Sequence, residues 1–147
     1  MKTLWQEETR AECIARARRL TSGSQRRWGR MNVDQMLAHI VDAFRLGLGE
    51  LEVRPKKLPI RFWPINYIIC NWIPFPRNTP TAPEIVRRKT ASIDEELQQL
   101  ESAMTRFAGK RNDAVWPIHP AFGKISGKSW GRLGYKHINH HLRQFGV

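Results

Sequence analysis

Two histidines one helical turn apart are the residues of this sequence most able to do chemistry. His137 and His141 occur in GRLGYKHINHHLRQFG, on a predicted helix face whose other members are Trp130, Leu133, Gly134 and Phe145. A buried histidine costs free energy unless both ring nitrogens find partners. Residues four apart on a helix lie about 5–6 Å apart at Cβ, so one divalent ion could bind both rings. Two core histidines that are hydrogen-bonded to backbone or carboxylate groups would explain the pair equally well.

His39 offers a third ligand from a distant part of the chain. It lies in MNVDQMLAHIV, inside an apolar arc of another predicted helix. Antiparallel packing could place this helix beside the one that carries His137 and His141. Three histidines from two helices leave coordination positions open, as catalytic metal sites do. Imidazole nitrogen suits zinc, nickel, iron and copper, so these ligands alone do not select the metal.

The two remaining histidines are weaker candidates for the site. His140 lies three residues after His137, at the rim of the same face, and could replace His141 or support a ligand. We favour His141 because it lies nearer the centre of the apolar stripe. His119 lies in a proline-flanked loop and is more typical of a structural or substrate-facing residue. His140 and His119 are also the only candidates for a general acid, and no motif supports either.

Familiar hydrolase motifs are missing from the sequence. The spacing of His137 and His141 equals that of the zinc-protease motif H-E-x-x-H, but Ile138 stands where the catalytic glutamate would be. There is no G-x-S-x-G motif and no phosphate-binding loop, and nothing marks Cys70 as a nucleophile. These patterns exclude the corresponding protease, hydrolase and nucleotide-binding chemistries.

Hydrophobic periodicity predicts four helices, and no strand-like alternation competes with them. The first helix is predicted from about Thr3 to about Leu20. Its expected buried residues are Leu4, Ala11, Cys13 and Ile14. The last helix is predicted from near Ser126 to near Gln144, and carries the histidine pair. The sequence therefore predicts an all-α protein.

The two middle helices begin with recognisable capping sequences. Asn32 can cap the second helix, with Gln35 in the register of a capping box, and Gly47 and Gly49 weaken its end near Leu48. The third helix begins after a second such pattern, formed by Ser92 and Glu95. Its apolar stripe consists of Ile93, Leu97, Leu100, Met104 and Phe107.

A long connection is predicted between these helices, over residues 50–91. Segment 58–78 is apolar, but a membrane span is excluded by Arg61, Asn71 and four prolines, namely Pro59, Pro64, Pro74 and Pro76. We interpret it as a proline- and aromatic-rich connection packed on the helices, with a short helix around residues 66–72. A lid or a surface for a partner is the alternative.

Composition indicates one domain, residues 1–147, in a reducing compartment. The length allows a single core, and the two cysteines, Cys13 and Cys70, have the apolar neighbours of buried thiols. The first ten residues, MKTLWQEETR, carry charges where an export signal needs an apolar run. We therefore expect a cytoplasmic protein.

The chain is strongly basic, with 25 Lys and Arg against 13 Asp and Glu and a net charge of +12. Such a balance could attract nucleic acid, an acidic membrane surface or an anionic small molecule. The basic residues are spread widely, and no nucleic-acid-binding motif accompanies them. A solvated surface is therefore the favoured interpretation of most of these charges.

Three segments together resemble the DinB/YfiT-like superfamily, as an uncharacterised branch: WGRMNVDQMLAHIVDAF, PFPRNTPTAPEIV and HPAFGKISGKSWGRLGYKHINHHLRQFG. The resemblance covers most of the chain from Trp28 onward. It implies an up-down-down-up four-helix bundle with a long crossover between the second and third helices. It also implies one metal-binding histidine on the second helix and an i, i+4 pair on the last. His39, His137 and His141 match those positions.

Relatives in that superfamily include metal-dependent transferases that use a small thiol, thiol-dependent isomerases and hydrolase-like proteins. Our leading hypothesis is accordingly a metal-dependent enzyme, most simply a transferase with zinc or nickel and a low-molecular-weight thiol. An anionic small-molecule substrate and a homodimer are further expectations. The alternative is a non-catalytic, basic stress-response or nucleic-acid-binding module. A third hypothesis is a scaffold that uses residues 58–78 as a partner surface.

Overall fold

The computed structural model describes residues 1–77 and 89–147. Within them the protein has five α-helices and no β-strand, which confirms the all-α prediction. The helices are α1 (Glu7–Ala17), α2 (Val33–Leu48), α3 (Ile65–Asn71), α4 (Ile93–Gly109) and α5 (Gly127–Gln144). Two 3₁₀ turns, Pro59–Arg61 and Lys110–Asn112, lie in the connections. Residues 78–88 of the predicted crossover lie outside the described residues.

Both predicted capping boxes are present. Asn32 Oδ1 accepts a bond from the Gln35 backbone at 2.8 Å, and the Gln35 side chain accepts one from the Asn32 backbone at 3.0 Å. Ser92 and Glu95 exchange the same two bonds at the start of α4. These bonds satisfy backbone donors that a helix start leaves unpaired. They fix where the two long central helices begin.

Helix α1 is shorter than predicted, and its buried face differs. Leu4 is buried but not helical, because its backbone N–H donates to Gly131 O of α5 at 3.1 Å. The helix therefore starts only at Glu7. Its buried residues are Thr9, Cys13 and Ala17. Ala11, predicted to be buried, is exposed, since it lies off this i, i+4 stripe.

Helix α2 lies at the centre of the packing. It packs along α4 and also contacts α5, while α1 contacts both α4 and α5. Its buried residues include Ala38 and the charged Asp42. A helix that is buried on several sides has partners on several sides. This position holds His39 within reach of α5.

An aromatic cluster joins the N-terminal segment to α4 and α5. The rings of Trp5 and Phe107 stack with centroids 5.2 Å apart, and those of Trp116 and Trp130 stack at 5.9 Å. The Trp5 indole N–H donates to Gly127 O at 3.2 Å. The close approach of Trp5 to α5 is possible because the helix carries a glycine, Gly131, beneath the ring.

The connection that contains α3 packs on the helices, as predicted, and α3 is the short helix predicted around residues 66–72. Helix α3 packs on α5 and on the turn before it, whereas Phe62, Trp63 and Trp72 are exposed. The buried residues of α3 are Asn66, Cys70 and Asn71, so polar side chains form most of its inner face. None of the described helices is long and apolar enough to span a bilayer.

We expect Gly131→Ala to destabilise the protein by about 1–3 kcal/mol, the usual cost of overpacking. A methyl group there would lie 2.3 Å from Trp5 ring atoms and 2.7 Å from Thr3 Oγ1. Gly109→Ala is the matched control, because nothing lies within 4 Å of a methyl group at that helical position. It should be neutral, or stabilising by up to about 1 kcal/mol. Urea unfolding measures both, and equal stabilities of the two variants would show that Trp5 does not pack on α5 in this way.

Candidate metal centre

Three histidine side chains from two helices meet in the interior. Helix α2 supplies His39, and α5 supplies His137 and His141. The three rings can each offer one nitrogen, and these nitrogens lie within 4.8 Å of one another. His39 and His141 are buried, and His137 is partly buried. The three residues singled out from the sequence therefore form one cluster that could hold a metal ion.

The Nε2 atoms are the ones that converge. His137 Nε2 lies 2.8 Å from His39 Nε2 and 3.2 Å from His141 Nε2. In a tetrahedral site with metal–nitrogen bonds of 2.0–2.1 Å, two ligand nitrogens lie about 3.3–3.4 Å apart. Small side-chain rotations would bring the cluster to that spacing. The centroids of each pair of rings lie 4.8 Å apart, and the ring planes are steeply inclined to one another.

Burial keeps two of these imidazoles, those of His137 and His141, uncharged at neutral pH. Removal from water, followed by the influence of His39, lowers the pKa of His141 to about 3. The same two causes, in the same order, hold the pKa of His137 well below its usual value. Uncharged imidazoles keep the lone pair that a metal ion needs, so these two ligands require no deprotonation at neutral pH.

Gln144 fixes which nitrogen of His141 carries the hydrogen. Its side-chain N–H donates to Trp28 O at 2.7 Å, so its Oε1 faces His141 and accepts from Nδ1 at 2.9 Å. His141 Nε2 then has no hydrogen, and its lone pair points toward the other two histidines. Sequence reasoning missed this residue. Its position three residues after His141, on the same helix face, was the available signal.

The three rings have too few N–H hydrogens to satisfy their mutual contacts, so the arrangement is unfavourable in free energy without a cation. Because His141 Nε2 has no hydrogen, His137 Nε2 must donate if that contact is a hydrogen bond. One N–H cannot point well at both His141 Nε2 and His39 Nε2. If His137 Nε2 instead accepts a hydrogen bond from His39, it has no hydrogen to give to His141. The lone pairs of His137 Nε2 and His141 Nε2 then face each other, which is unfavourable. A cation at the centre removes the conflict, since all three lone pairs can point to it.

A large cavity opens onto the cluster. Its volume is about 1090 Å³, and all three histidines contribute to its wall. Most other described lining residues are apolar or aromatic, with Arg30 and Lys56 as the cationic ones. Phe75 places its ring 6.0 Å from that of His137. The cluster is thus reachable by a small molecule while still shielded from bulk water.

His140 lines the cavity but stays outside the histidine cluster. Its ring meets those of His141 at 5.2 Å, Trp28 at 5.8 Å and Phe75 at 6.1 Å. Burial, then the charges of two arginines, lowers its pKa. Of the two adjacent histidines, the structure therefore brings His141 to the cluster and leaves His140 beside the cavity.

His119 also lines the cavity, at a distance from the cluster. Its Nδ1 accepts backbone N–H bonds from Ala121 at 3.1 Å and Phe122 at 3.2 Å. Nδ1 therefore carries no hydrogen, and the neutral ring has its N–H on Nε2. The ring packs between Phe122 and Trp130. His119 has a structural role in its loop, as one of the two expected alternatives stated, and it faces the cavity as well.

The cysteines are buried thiols and not part of the site. Neither forms a disulfide, and both are fully buried, as the sequence predicted. Burial raises the pKa of Cys13 to about 11 and that of Cys70 to about 12. A thiol with such a pKa is a poor nucleophile at neutral pH. Any thiol chemistry at the histidine cluster must therefore use a thiol from outside the protein.

Comparison with known proteins gives a family and no characterised relative. A family model described as "Protein of unknown function (DUF1569)" matches residues 5–146, which is nearly the whole chain. Neither the curated proteins nor the solved structures contain a significant match. The family description assigns no reaction, so the functional argument depends on the geometry of the site.

We expect purified protein to hold close to one divalent ion per chain and His39→Ala and His141→Ala to lose it. Removing one of three ligands should weaken affinity by far more than the 10- to 100-fold typical of losing a residue that orients a ligand. His140→Ala is the matched control, because this neighbouring histidine lies outside the cluster, and it should retain the metal. Elemental analysis after dialysis measures all four proteins. Loss of metal from His140→Ala with retention in His141→Ala would reverse our assignment of the ligands.

Acid should destabilise the protein in part through His119. Burial, and secondly the charge of Arg61, lowers its pKa to about 3. The unfolded chain binds this proton below about pH 6.5, so stability is lost as the pH falls from 6.5 towards 3. We expect wild type to lose stability more steeply than His119→Asn in this window, by at most about 1.4 kcal/mol per pH unit. Urea unfolding across this range tests the difference. Parallel curves below pH 6.5 would contradict it.

Proposed function

This chain belongs to the DUF1569 family, and we propose that it is a metal-dependent enzyme with an open three-histidine site. The proposed reaction is the transfer of a small external thiol to an electrophilic substrate. The observation that carries the proposal is the convergence of three Nε2 atoms in the wall of a large cavity. A purely structural metal site would close its coordination sphere with a fourth protein ligand. In the part of the chain that the structure describes, the cluster offers three ligands, and all three line the cavity.

The metal is proposed to be zinc or nickel. Three imidazole nitrogens suit either ion, and among the described residues no carboxylate that would favour magnesium or calcium joins the cluster. A divalent ion in this position supplies Lewis acidity, which lowers the pKa of a thiol or water that occupies an open position. Because the ligands are uncharged, the site would keep its positive charge and favour an anionic partner.

The composition of the cavity wall favours a thiol over water as the nucleophile. Among the described residues that line the cavity there is no Asp or Glu. Metal-dependent hydrolases commonly use a carboxylate as general base to activate water, as in H-E-x-x-H enzymes. A thiol is much more acidic than water and reaches its anionic form without such a base. The sulfur electron pair would form the new S–C bond, the leaving group would depart with its electron pair, and the thiol proton would pass to solvent.

The cavity itself would select the substrate. A volume of about 1090 Å³ has room for a thiol and a second small molecule together. Its mainly apolar wall would bind the electrophile and exclude water from the reaction. Arg30 and Lys56 would attract a carboxylate or another anionic group on either reactant. The side chains of His119 and His140 line the same space and could donate or accept hydrogen bonds.

Membership of the DinB/YfiT-like superfamily is part of the proposal. The positions of His39, His137 and His141 support it, as do the contacts of α2 with α4 and α5 and of α1 with the same two helices. An up-down-down-up bundle formed by these four helices would fit those contacts. A cytoplasmic location and a homodimer remain predictions from the sequence.

The alternative function, a nucleic-acid-binding or stress-response module, rests on the net charge of +12. The positively charged surface would bind phosphates with an affinity that falls steeply as salt rises. This alternative leaves the cavity and the histidine cluster without a role. The metal-dependent enzyme accounts for both, and we favour it for that reason.

Thiol transfer can be tested with protein loaded with zinc or nickel. We expect metal-dependent consumption of at least one low-molecular-weight thiol when it is offered with alkyl halides, aryl halides or epoxides. His39→Ala and His141→Ala should lose about a hundredfold or more of this rate, because the metal supplies the activation of sulfur. The readout is the loss of free thiol, which is measured by absorbance after reaction with a thiol-labelling reagent.

Arg143→Ala is the control, since Arg143 lies on the same helix and its side chain is exposed. It should react like wild type. Turnover that is equal with and without metal, or unchanged in both ligand variants, would contradict the proposal. Metal-dependent hydrolysis of the same electrophiles without thiol consumption would identify water as the nucleophile instead.

A further inference from the structure

The exposed hydrophobic side chains of this protein are concentrated in one short segment. Among the described residues, eight of the eleven large exposed hydrophobic side chains lie between residues 58 and 73. We call these eight the apolar patch. Its most exposed members are Trp63 at 80%, Phe62 at 70% and Trp72 at 62%. Exposed hydrophobic residues that are scattered singly need no explanation, but a cluster of this size on one segment marks an interaction surface.

Polar bonds hold the patch in its outward orientation. The Asn66 side-chain amide donates to the carbonyl oxygens of Arg61 and Phe122, both at 3.1 Å. Asn71 donates to Tyr67 O at 2.8 Å and to Ser129 Oγ at 3.1 Å. These amides are buried and lie on the inner side of α3. The inner side therefore satisfies polar groups, and the hydrophobic side chains are left on the outer side.

Two cationic side chains of α5 strengthen this attachment. Arg132 donates to Asn71 Oδ1 at 2.9 Å. Lys136 donates to the carbonyl oxygens of Ile69 and Cys70, at the end of α3. Charge-assisted bonds of this kind are stronger than neutral ones. The C-terminal half of α3 is thus tied to α5, and Asn66 ties its first turn to the segment that precedes α5. The patch is therefore a fixed surface of the fold.

The residue types in the patch are those found at membrane–water interfaces. Trp63, Tyr67 and Trp72 combine a large apolar ring with a polar N–H or O–H group. Such rings sit at the level of lipid headgroups. Phe62 and Ile68 could insert further, into the boundary with the acyl chains. A short helix that lies in the plane of the membrane needs to bury its apolar face by only about 5–10 Å.

The charges around the patch point to an anionic surface. Between Glu52 and Glu84 the sequence has no acidic residue, and it has five basic ones. Two of these, Arg54 and Lys57, have exposed side chains that are not part of the cavity wall. Lys124 and Lys128 are also exposed, and the Lys124 carbonyl is bonded to Asn66 of α3. Lysine and arginine beside an inserted apolar surface are attracted by acidic lipids.

A second copy of the chain fits this surface less well. In a two-fold dimer the same patch would face itself, so the basic residues around it would meet basic residues. Like charges placed together across an interface are unfavourable. The segment offers no carboxylate to neutralise them. A bilayer with acidic lipids supplies both the apolar interior and the negative charge.

We propose that the apolar patch docks the protein on the surface of an anionic lipid bilayer, with its eight exposed side chains inserted at the interface. The protein lies on the membrane and does not cross it. This proposal is independent of the reaction at the histidine cluster, because none of the eight patch side chains lines the cavity.

Flotation with lipid vesicles tests this directly on the full chain. Wild type should float with vesicles of equal parts phosphatidylcholine and phosphatidylglycerol, and at least about tenfold less with phosphatidylcholine alone. The double variant Phe62→Ser/Trp63→Ser should bind the anionic vesicles at least about tenfold more weakly. The matched control is Val115→Ser/Ile118→Ser, whose side chains are comparably exposed (80% and 63%) but lie outside the patch. It should bind like wild type.

Circular dichroism establishes that the variants are folded, and Trp72→Ser replaces the double variant if that one is not. Lys57→Glu should weaken binding as well, and added salt should do the same to wild type. No binding of wild type to anionic vesicles at low salt would overturn the proposal. Equal losses in the patch and control variants would also do so. A wild-type dimer that becomes monomeric in Phe62→Ser/Trp63→Ser, without vesicle binding, would identify the second copy as the occupant.

Discussion

The structure depends on keeping three histidine side chains together in an apolar interior. His137 Nε2 lies 2.8 Å from His39 Nε2 and 3.2 Å from His141 Nε2. Because His141 Nδ1 donates its hydrogen to Gln144, the lone pair of His141 is on Nε2 and points inward. Hydrogen bonds alone cannot satisfy both contacts well. Leucine at such positions would have packed at no comparable cost. The fold therefore retains an arrangement that is unfavourable unless a cation compensates for it, and this is the physical basis for regarding the cluster as functional.

The rest of the fold keeps α2 and α5 at the separation which this cluster requires. Helix α2 is buried between α4 and α5, so its lateral position is set by packing on more than one side. On α5, a glycine at position 131 admits the Trp5 ring, and the Trp5–Phe107 stack connects α5 to α4. A displacement of about an ångström between these helices would separate the nitrogens beyond the reach of one ion. Stability and metal binding are thus governed by the same helix packing.

Much of this could be predicted from sequence, because periodicity and caps are local properties. The capping patterns at Asn32 and Ser92 located the starts of α2 and α4, and two histidines on an apolar stripe led to the cluster. The start of α1 could not be predicted, since Leu4 leaves the helix to bond with Gly131, which is distant in sequence. Gln144 was missed for a related reason. Its role depends on Trp28 O, which folding brings to it from the other end of the chain.

The segment around α3 shows how far hydrophobicity alone predicts burial. The segment packs on α5, as predicted, but Phe62, Trp63 and Trp72 remain exposed, although aromatic residues are usually buried. Asn66 and Asn71 instead take the inner side, because they can satisfy carbonyl and hydroxyl groups that an aromatic ring would leave unpaired. Once both amides are committed to these bonds, the helix can present only its apolar side to the exterior. The same stretch of chain supplies Lys56 and Phe75 to the cavity wall, and the Phe75 ring touches those of His137 and His140. A surface that binds the outer side of α3 would therefore contact a segment that also forms one wall of the candidate active site.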